Sequence, residues 1–114
     1  LTQPAVVLVN SRTASSAELF SVALRDSGQA QLVGVNTYGK GVMQVTKELL
    51  DGSAITVTVA TYETSKTPNY DGVGLKPNFE VNLTKDEEDN FESLDETTDP
   101  QLKKAMEIVR TITK

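Results

Sequence analysis

The sequence predicts an α/β fold, and three features predict it. Residues 5–9 read AVVLV, a short unbroken run rich in β-branched side chains that suits a strand buried on both faces. A stretch with apolar residues at helical spacing (Leu19, Phe20, Ala23, Leu24) follows it. Further on, Ile55, Val57 and Val59 alternate with Thr56, Thr58 and Ala60, the period of a strand with one drier face. Early strand–helix–strand order with later meandering strands gives β-α-β-β-β-β-α.

Each element has its own local reason. Asn10-Ser11-Arg12-Thr13-Ala14 breaks the first strand. A helix is expected from Ser15 or Ser16 to Ser27, with Gly28 placed for a left-handed C-terminal cap. Residues 31–35 form a second short strand. Thr37-Tyr38-Gly39-Lys40-Gly41 reads as a turn, because two glycines flank one lysine. Residues 42–49 make a strand, and Asp51-Gly52 signals a hairpin into the alternating strand. Residues 64–77 are a loop punctuated by Pro68, Gly72, Gly74 and Pro77. Residues 79–83 make a last short strand. Asp99-Pro100 then opens a helix, Asp as cap and Pro in the first turn, with Leu102, Ala105, Met106, Val109 and Ile112 recurring at helical spacing. The organisation is a core at 1–84, an acidic linker at 85–98 and a closing helix at 99–114. No internal repeat is present.

Composition narrows the chemistry. The 114 residues include no Cys and no His. Disulfides, thiolate sites, a Ser-His-Asp triad and most zinc sites are thereby excluded within this chain. Proton transfer here falls to Lys, Asp, Glu or Tyr. The net charge is -5, and it is concentrated. Residues 85–99 hold eight acids and one base, while the other 99 residues hold eight acids and ten bases. Such a run is a solvated linker by default. It lacks the regular spacing of a calcium loop, and no metal or cofactor is expected. No basic stripe with interleaved aromatics points to nucleic acid. Asn82-Leu83-Thr84 matches a glycosylation acceptor, a match that short sequences produce by chance. No apolar run reaches the roughly 20 residues that span a bilayer, and no signal peptide opens the chain. Leu1 is not a start Met, so a longer parent is expected.

Two residues stand out chemically. Ser15 lies where a strand and short loop meet a helix start, among small neighbours. A helix N-terminus offers free N–H groups and a positive dipole end, and the Ser16 N–H could steady an oxyanion on Ser15. A serine at that position also serves as an ordinary cap. Lys40 lies between Gly39 and Gly41. Lysine works as a base only when burial brings its pKa down from about 10.4. The plain alternative is a solvent-facing turn lysine. Gln44, four residues on, could hold the ammonium or simply sit on a strand surface.

Taken together, Val7-Leu8-Val9-Asn10, Ala14-Ser15-Ser16-Ala17-Glu18 and Val33-Gly34-Val35-Asn36-Thr37-Tyr38-Gly39-Lys40-Gly41-Val42-Met43-Gln44 resemble the C-terminal processing peptidases, also called tail-specific or carboxyl-terminal proteases. Leu50-Asp51-Gly52-Ser53-Ala54, Thr61-Tyr62-Glu63-Thr64, Gly72-Val73-Gly74-Leu75-Lys76-Pro77 and the closing Asp99-Pro100-Gln101-Leu102-Lys103-Lys104-Ala105 agree in order. The resemblance implies a serine endopeptidase of ClpP/crotonase-like fold with a Ser/Lys dyad. Ser15 would be the nucleophile, Lys40 the general base 25 residues on, Gln44 its positioner and the Ser16 N–H an oxyanion donor. A dyad of this kind needs neither His nor Cys. It further implies protein or peptide substrates cleaved at C-terminal tails, an upstream PDZ domain, a first half of the core supplied elsewhere, and an extracytoplasmic location.

Three departures qualify the resemblance. Ser16-Ala17 stands where the family usually has Ala-Ser, so Ser16 competes for the nucleophile's role, and the 25-residue spacing favours Ser15. Asn78 follows the proline where Asp is common. The chain holds only the second half of a core, so the isolated fragment is expected to lack activity and to self-associate through uncovered apolar surface. The competing expectations are a non-catalytic peptide- or ligand-binding relative and a purely structural α/β domain.

Overall fold

The computed structural model describes residues 3–112. Leu1 and the last two positions of the expected 99–114 helix lie outside the described residues. The architecture is mixed α/β. The elements are β1 (Ala5–Val9), α1 (Ser16–Asp26), β2 (Ala30–Gly34), β3 (Val42–Glu48), β4 (Ala54–Thr61), β5 (Phe79–Glu80), α2 (Lys85–Asp89), a 3-10 turn (Phe91–Ser93) and α3 (Pro100–Ile112).

β1, β2 and β5 form a parallel sheet in the order β1-β2-β5. Ala5 pairs with Ala30 and Val9 with Gly34, while Val33 pairs with Phe79. Gly34 allows the outer pair to close: a Cβ there would fall 1.9 Å from the Val9 carbonyl oxygen. Asn78 Oδ1 accepts from the Leu32 N–H at 2.8 Å. An amide oxygen thus meets this backbone donor between β2 and the start of β5. β5 is shorter than the expected 79–83, although the Val81 N–H still donates to the Gly34 carbonyl.

α1 packs on β2, and α3 packs on β1 and β2. Val22, Tyr70 and Leu75 form the buried cluster, with Leu19 and Tyr62 against it. α3 starts as the Asp99-Pro100 pair predicts: Asp99 Oδ1 accepts from the N–H groups of Gln101 (2.8 Å) and Leu102 (3.1 Å). Its seat is Gln101, Ala105 and Ile108, one helical stripe, and Ile108 was not among the expected stripe positions. The Gln101 amide reaches the Val81 carbonyl at 2.8 Å, which satisfies a polar group inside that seat.

Three expectations are corrected. β1 is not buried on both faces: it is the sheet's edge, and Leu8 is 44% exposed. The stretch Thr37–Gly41 is no turn but chain without regular structure, for a reason given below. The acidic linker carries α2, capped by a Thr84–Glu87 capping box, and the 3-10 turn.

The β3–β4 hairpin stands apart from the sheet. Val45 pairs with Val57 and Lys47 with Ile55, so one face carries apolar side chains while Gln44, Thr46, Thr56 and Thr58 share the other. Both faces are open, with Val45, Ile55 and Val59 about half exposed. The radius of gyration is 17.1 Å. A compact domain of this length would have about 13 Å. A two-stranded ribbon is marginal in water without a packed face.

Candidate active site

The loop between β1 and α1 is a tight, self-bonded turn. The Asn10 N–H donates to Thr13 Oγ1 (3.0 Å), Asn10 Oδ1 accepts from the Arg12 N–H (2.9 Å), and the Thr13 N–H returns to the Asn10 carbonyl (2.9 Å). Two residues later comes Ser15, with φ 56° and ψ -120°. Among the described residues it is the one non-glycine with positive φ. These angles match the first central position of a type II′ turn, where glycine belongs. Holding a serine there costs on the order of 1–3 kcal/mol, and such strain gathers at functional sites.

The strain makes a measurable prediction. Ser15→Gly and Ser15→Ala both remove the hydroxyl, but only glycine relieves the backbone. Glycine is expected to be the more stable of the two by about 1 kcal/mol, the reverse of the usual order. Urea denaturation of the two variants checks this, and alanine being equal or better would refute the strain.

Glu18 holds the site together. It is fully buried, one turn into α1. Its Oε2 accepts from the Ser15 N–H (2.9 Å) and the Lys40 N–H (2.8 Å). Its Oε1 accepts from the Gly39 N–H (2.8 Å) and the Thr37 hydroxyl. Four donors thus occupy two oxygens, and a single oxygen ties the Ser15 backbone to that of Lys40. Burial pushes the Glu18 pKa up, but the hydrogen bonds from Thr37, Lys40, Gly39 and Ser15 outweigh it and hold the carboxyl below its ordinary range. Thr37 is itself buried, and its Oγ1 accepts from the Leu75 N–H at 2.7 Å. Beneath this cluster lies Tyr70, 3% exposed, its phenol pushed up by burial and then by the charge of Glu18 and by Tyr62.

The glycines around Lys40 serve close backbone approach. Gly39 has φ +90°, and a Cβ there would lie 2.7 Å from the Gly74 nitrogen. A Cβ on Gly41 would lie 2.7 Å from the Asp71 nitrogen. The Gly72 N–H donates to the Gly39 carbonyl at 2.9 Å. The lysine segment therefore lies closely against residues 69–74. That loop is clamped to the end of α1: Arg25 donates to Thr67 Oγ1 (2.7 Å) and to the Lys76 carbonyl (3.1 Å), and the Thr64 hydroxyl donates to Asp26.

The expected residues fall as follows. Ser15 and Lys40 are half-buried and joined through Glu18. Among the described residues, no hydrogen bond links the Ser15 hydroxyl to the Lys40 ammonium. The Ser16 N–H opens α1, where helix donors lack internal partners. Gln44 does not meet Lys40. It is exposed on β3, just past a β-bulge, and its Nε2 donates to Thr58 Oγ1 at 3.5 Å. A bulge re-aims the side chains beside it. Glu18 and Thr37 were not singled out from the sequence. The Ser15-x-x-Glu18 spacing of a capping box was the available signal for Glu18. Among the described residues, no three His, Cys, Asp or Glu side chains gather as a metal site, and no helix is long and apolar enough to cross a membrane.

Known proteins share this arrangement of sequence and fold. The peptidase family S41 profile matches residues 1–81. Carboxyl-terminal-processing peptidase 1, chloroplastic, of Arabidopsis thaliana is 46% identical over 79 residues, which are 69% of this chain and 16% of that protein. The carboxy-terminal processing protease CtpA of Bacillus subtilis is 42% identical over 83 residues, 73% of this chain and 18% of its own length. Among solved structures, the photosystem II D1 C-terminal processing protease aligns with a TM-score of 0.63 at 41% identity, covering 68% of this chain and 20% of that one. The tricorn protease, at 18% identity, shares the fold over 97% of this chain with a TM-score of 0.73. The chain spans less than a fifth of the length of these two relatives. With the profile covering well over half of its residues, the chain belongs to peptidase family S41, as a member of the carboxyl-terminal processing peptidases.

Proposed function

We propose that the chain is the second half of a ClpP/crotonase-like serine endopeptidase core that cleaves C-terminal tails of proteins through a Ser15/Lys40 dyad. The observation that carries this reading is the conformation of Ser15: a serine held in a glycine conformation at a helix start, with its backbone tied through Glu18 to that of Lys40. Neutral Lys40 takes the hydroxyl proton while Ser15 Oγ attacks the scissile carbonyl. The Ser16 N–H receives the developing oxyanion. Lys40 then protonates the leaving amine, and water resolves the acyl-enzyme. Gln44 takes up its positioning role when the rest of the core covers the hairpin. In the extracytoplasmic setting proposed for the whole protein, an upstream PDZ domain and the first half of the core complete the machinery.

The test is fluorophosphonate labelling and tail cleavage by the polypeptide that supplies the rest of the core. Ser15 is expected to be labelled, and both Ser15→Ala and Lys40→Ala to abolish cleavage. Near-normal cleavage by either variant would sink the dyad. The isolated chain is expected to be inactive and to self-associate through the open hairpin face, so a monomer with turnover would contradict that part. The second reading, a peptide-binding relative without catalysis, is favoured by the Gln44–Thr58 contact, which leaves Lys40 without its expected positioner. Binding of peptide without labelling would select it.

A further inference from the structure

Glu18 holds the backbone on the amino-terminal side of Lys40, and the residue after the lysine has holders of its own. Both backbone groups of Gly41 are gripped by side chains of the 69–71 segment. Its N–H donates to Asp71 Oδ1 at 2.9 Å. Its carbonyl accepts from Asn69 Nδ2 at 2.7 Å and from the Tyr62 N–H at 2.7 Å. A Cβ on Gly41 would lie 2.9 Å from Asn69 Nδ2, so glycine is what lets the amide come this close.

Asn69 also reaches a second carbonyl. The same Nδ2 donates to the Tyr62 carbonyl oxygen at 2.8 Å. Gly41 immediately precedes β3, and Tyr62 immediately follows β4. One amide nitrogen therefore bridges the two feet of the hairpin, and one of those feet is the neighbour of Lys40. Asn69 Oδ1 is engaged separately, accepting from the Asp71 N–H at 3.1 Å. The chain under Asn69 is anchored without its side chain. Pro68 fixes φ on one flank. On the other, Tyr70 is buried, and its carbonyl accepts from the N–H groups of Val73 (3.1 Å) and Gly74 (2.9 Å). Asn69 itself is exposed and contributes nothing to the core. The hairpin above it has both faces open, so a tilt about its base is resisted mainly at its feet. Such a tilt moves Gly41, and Lys40 is one peptide bond away. A displacement of about 1 Å in a reacting group can cost roughly a hundredfold in rate.

We propose that Asn69 is a positioning residue for Lys40. Its NH₂ group locks the base of the hairpin to the lysine segment, and so keeps the lysine backbone in place against Ser15 while the rest of the core presses on the hairpin. Asn69 acts through Gly41 and does not touch substrate. The role rests on the Ser15/Lys40 reading above.

The experiment measures kcat and KM of the assembled enzyme on fluorescein-labelled casein, an unfolded protein substrate, for wild type, Asn69→Ala, Asn69→Asp and Lys40→Ala. The Asn69 variants are counted per fluorophosphonate-labelled site, so unfolded molecules do not weigh on kcat. Alanine removes both donated bonds and is expected to lower kcat about tenfold. Aspartate has the shape of asparagine and keeps Oδ1 for the Asp71 N–H, but it turns an oxygen on two carbonyl oxygens. It is expected to lower kcat about a hundredfold. KM is expected to stay within about twofold in both, as for a group that leaves substrate binding alone. If Asn69 only filled space, or served only through Oδ1, the isosteric aspartate would match wild type. The proposal is overturned if Asn69→Asp retains wild-type kcat. It is also overturned if the loss falls on KM with kcat unchanged, which would put Asn69 in contact with substrate. Lys40→Ala separates the two readings. An inactive Lys40→Ala beside a fully active Asn69→Asp leaves the dyad standing and removes the positioning role, whereas normal cleavage by Lys40→Ala removes both.

Discussion

Glu18→Gln is expected to lower folding stability by about 3 kcal/mol and to abolish tail cleavage in the assembled enzyme. The carboxylate accepts four hydrogen bonds from donors that have no other acceptor in view: three backbone N–H groups and the Thr37 hydroxyl. A glutamine amide in its place would still have one carbonyl oxygen for two of them. Its NH₂ would face the Gly39 N–H donor against donor or, with the amide turned over, the N–H groups of both Ser15 and Lys40. Each buried donor left unsatisfied costs roughly 1–3 kcal/mol, and no water reaches a fully buried site to relieve it. The backbone consequence matters more for function. In the first orientation the Gly39 N–H loses its tie to α1, and in the second the Ser15 and Lys40 backbones are no longer joined at a common atom.

Glu18 also has a pH signature with a definite sign. Its folded pKa lies below the ordinary value, so its contribution is fully present above about pH 4.3. The contribution is lost as pH falls through the lowered folded value. Urea denaturation from about pH 7 downward into acid should show a wild-type advantage over Glu18→Gln that is constant at neutral pH and shrinks as the pH falls. A gap of unchanged size throughout would mean that the carboxylate's charge contributes nothing.

Periodicity made much of this fold legible in the sequence. The β-branched run of β1, the alternation of β4 and the apolar stripe of α3 all reflect local geometry, which a linear pattern records. What packs against an element is not recorded there. β1 reads as doubly buried because its residues suit that environment, yet Leu8 is exposed at the sheet edge. The acidic segment reads as linker because charge dominates it, but Thr84-x-x-Glu87 carries the signature of a helix start, and a helix forms there. Ser15 and Lys40 stand out as candidates through motif and spacing. The carboxylate tying them together was visible only as a capping-box partner, because a bond from Glu18 to Gly39 and Lys40 spans about twenty residues of chain. The Gln44 geometry had no sequence signal, since nothing in the letters marks a bulge at Met43/Gln44.

The two glycines beside Lys40 show the same limit, and Gly39 supports the second large prediction. Glycine has two unrelated uses, positive φ and the absence of a Cβ, and a sequence cannot tell them apart. Gly28 uses the first alone: φ is +76°, and a Cβ there would meet nothing within 4 Å. Gly39 uses both: φ is +90°, and a Cβ would strike the backbone nitrogens of Gly74 at 2.7 Å and Val73 at 3.0 Å. Backbone atoms cannot rotate aside as a side-chain tip can. Gly28→Ala should therefore cost about 1 kcal/mol, the conformational share. Gly39→Ala should cost about 4 kcal/mol, strain and overpacking together. It should also cost the assembled enzyme its activity, because relief requires the lysine segment to move away from residues 72–74. That movement pulls the Gly39 and Lys40 N–H groups off Glu18, the atoms through which the lysine backbone is held to the serine's. Chemical denaturation of both variants separates the two contributions. Equal losses at the two glycines would show that the segment carrying Lys40 is not packed against residues 72–74 in solution.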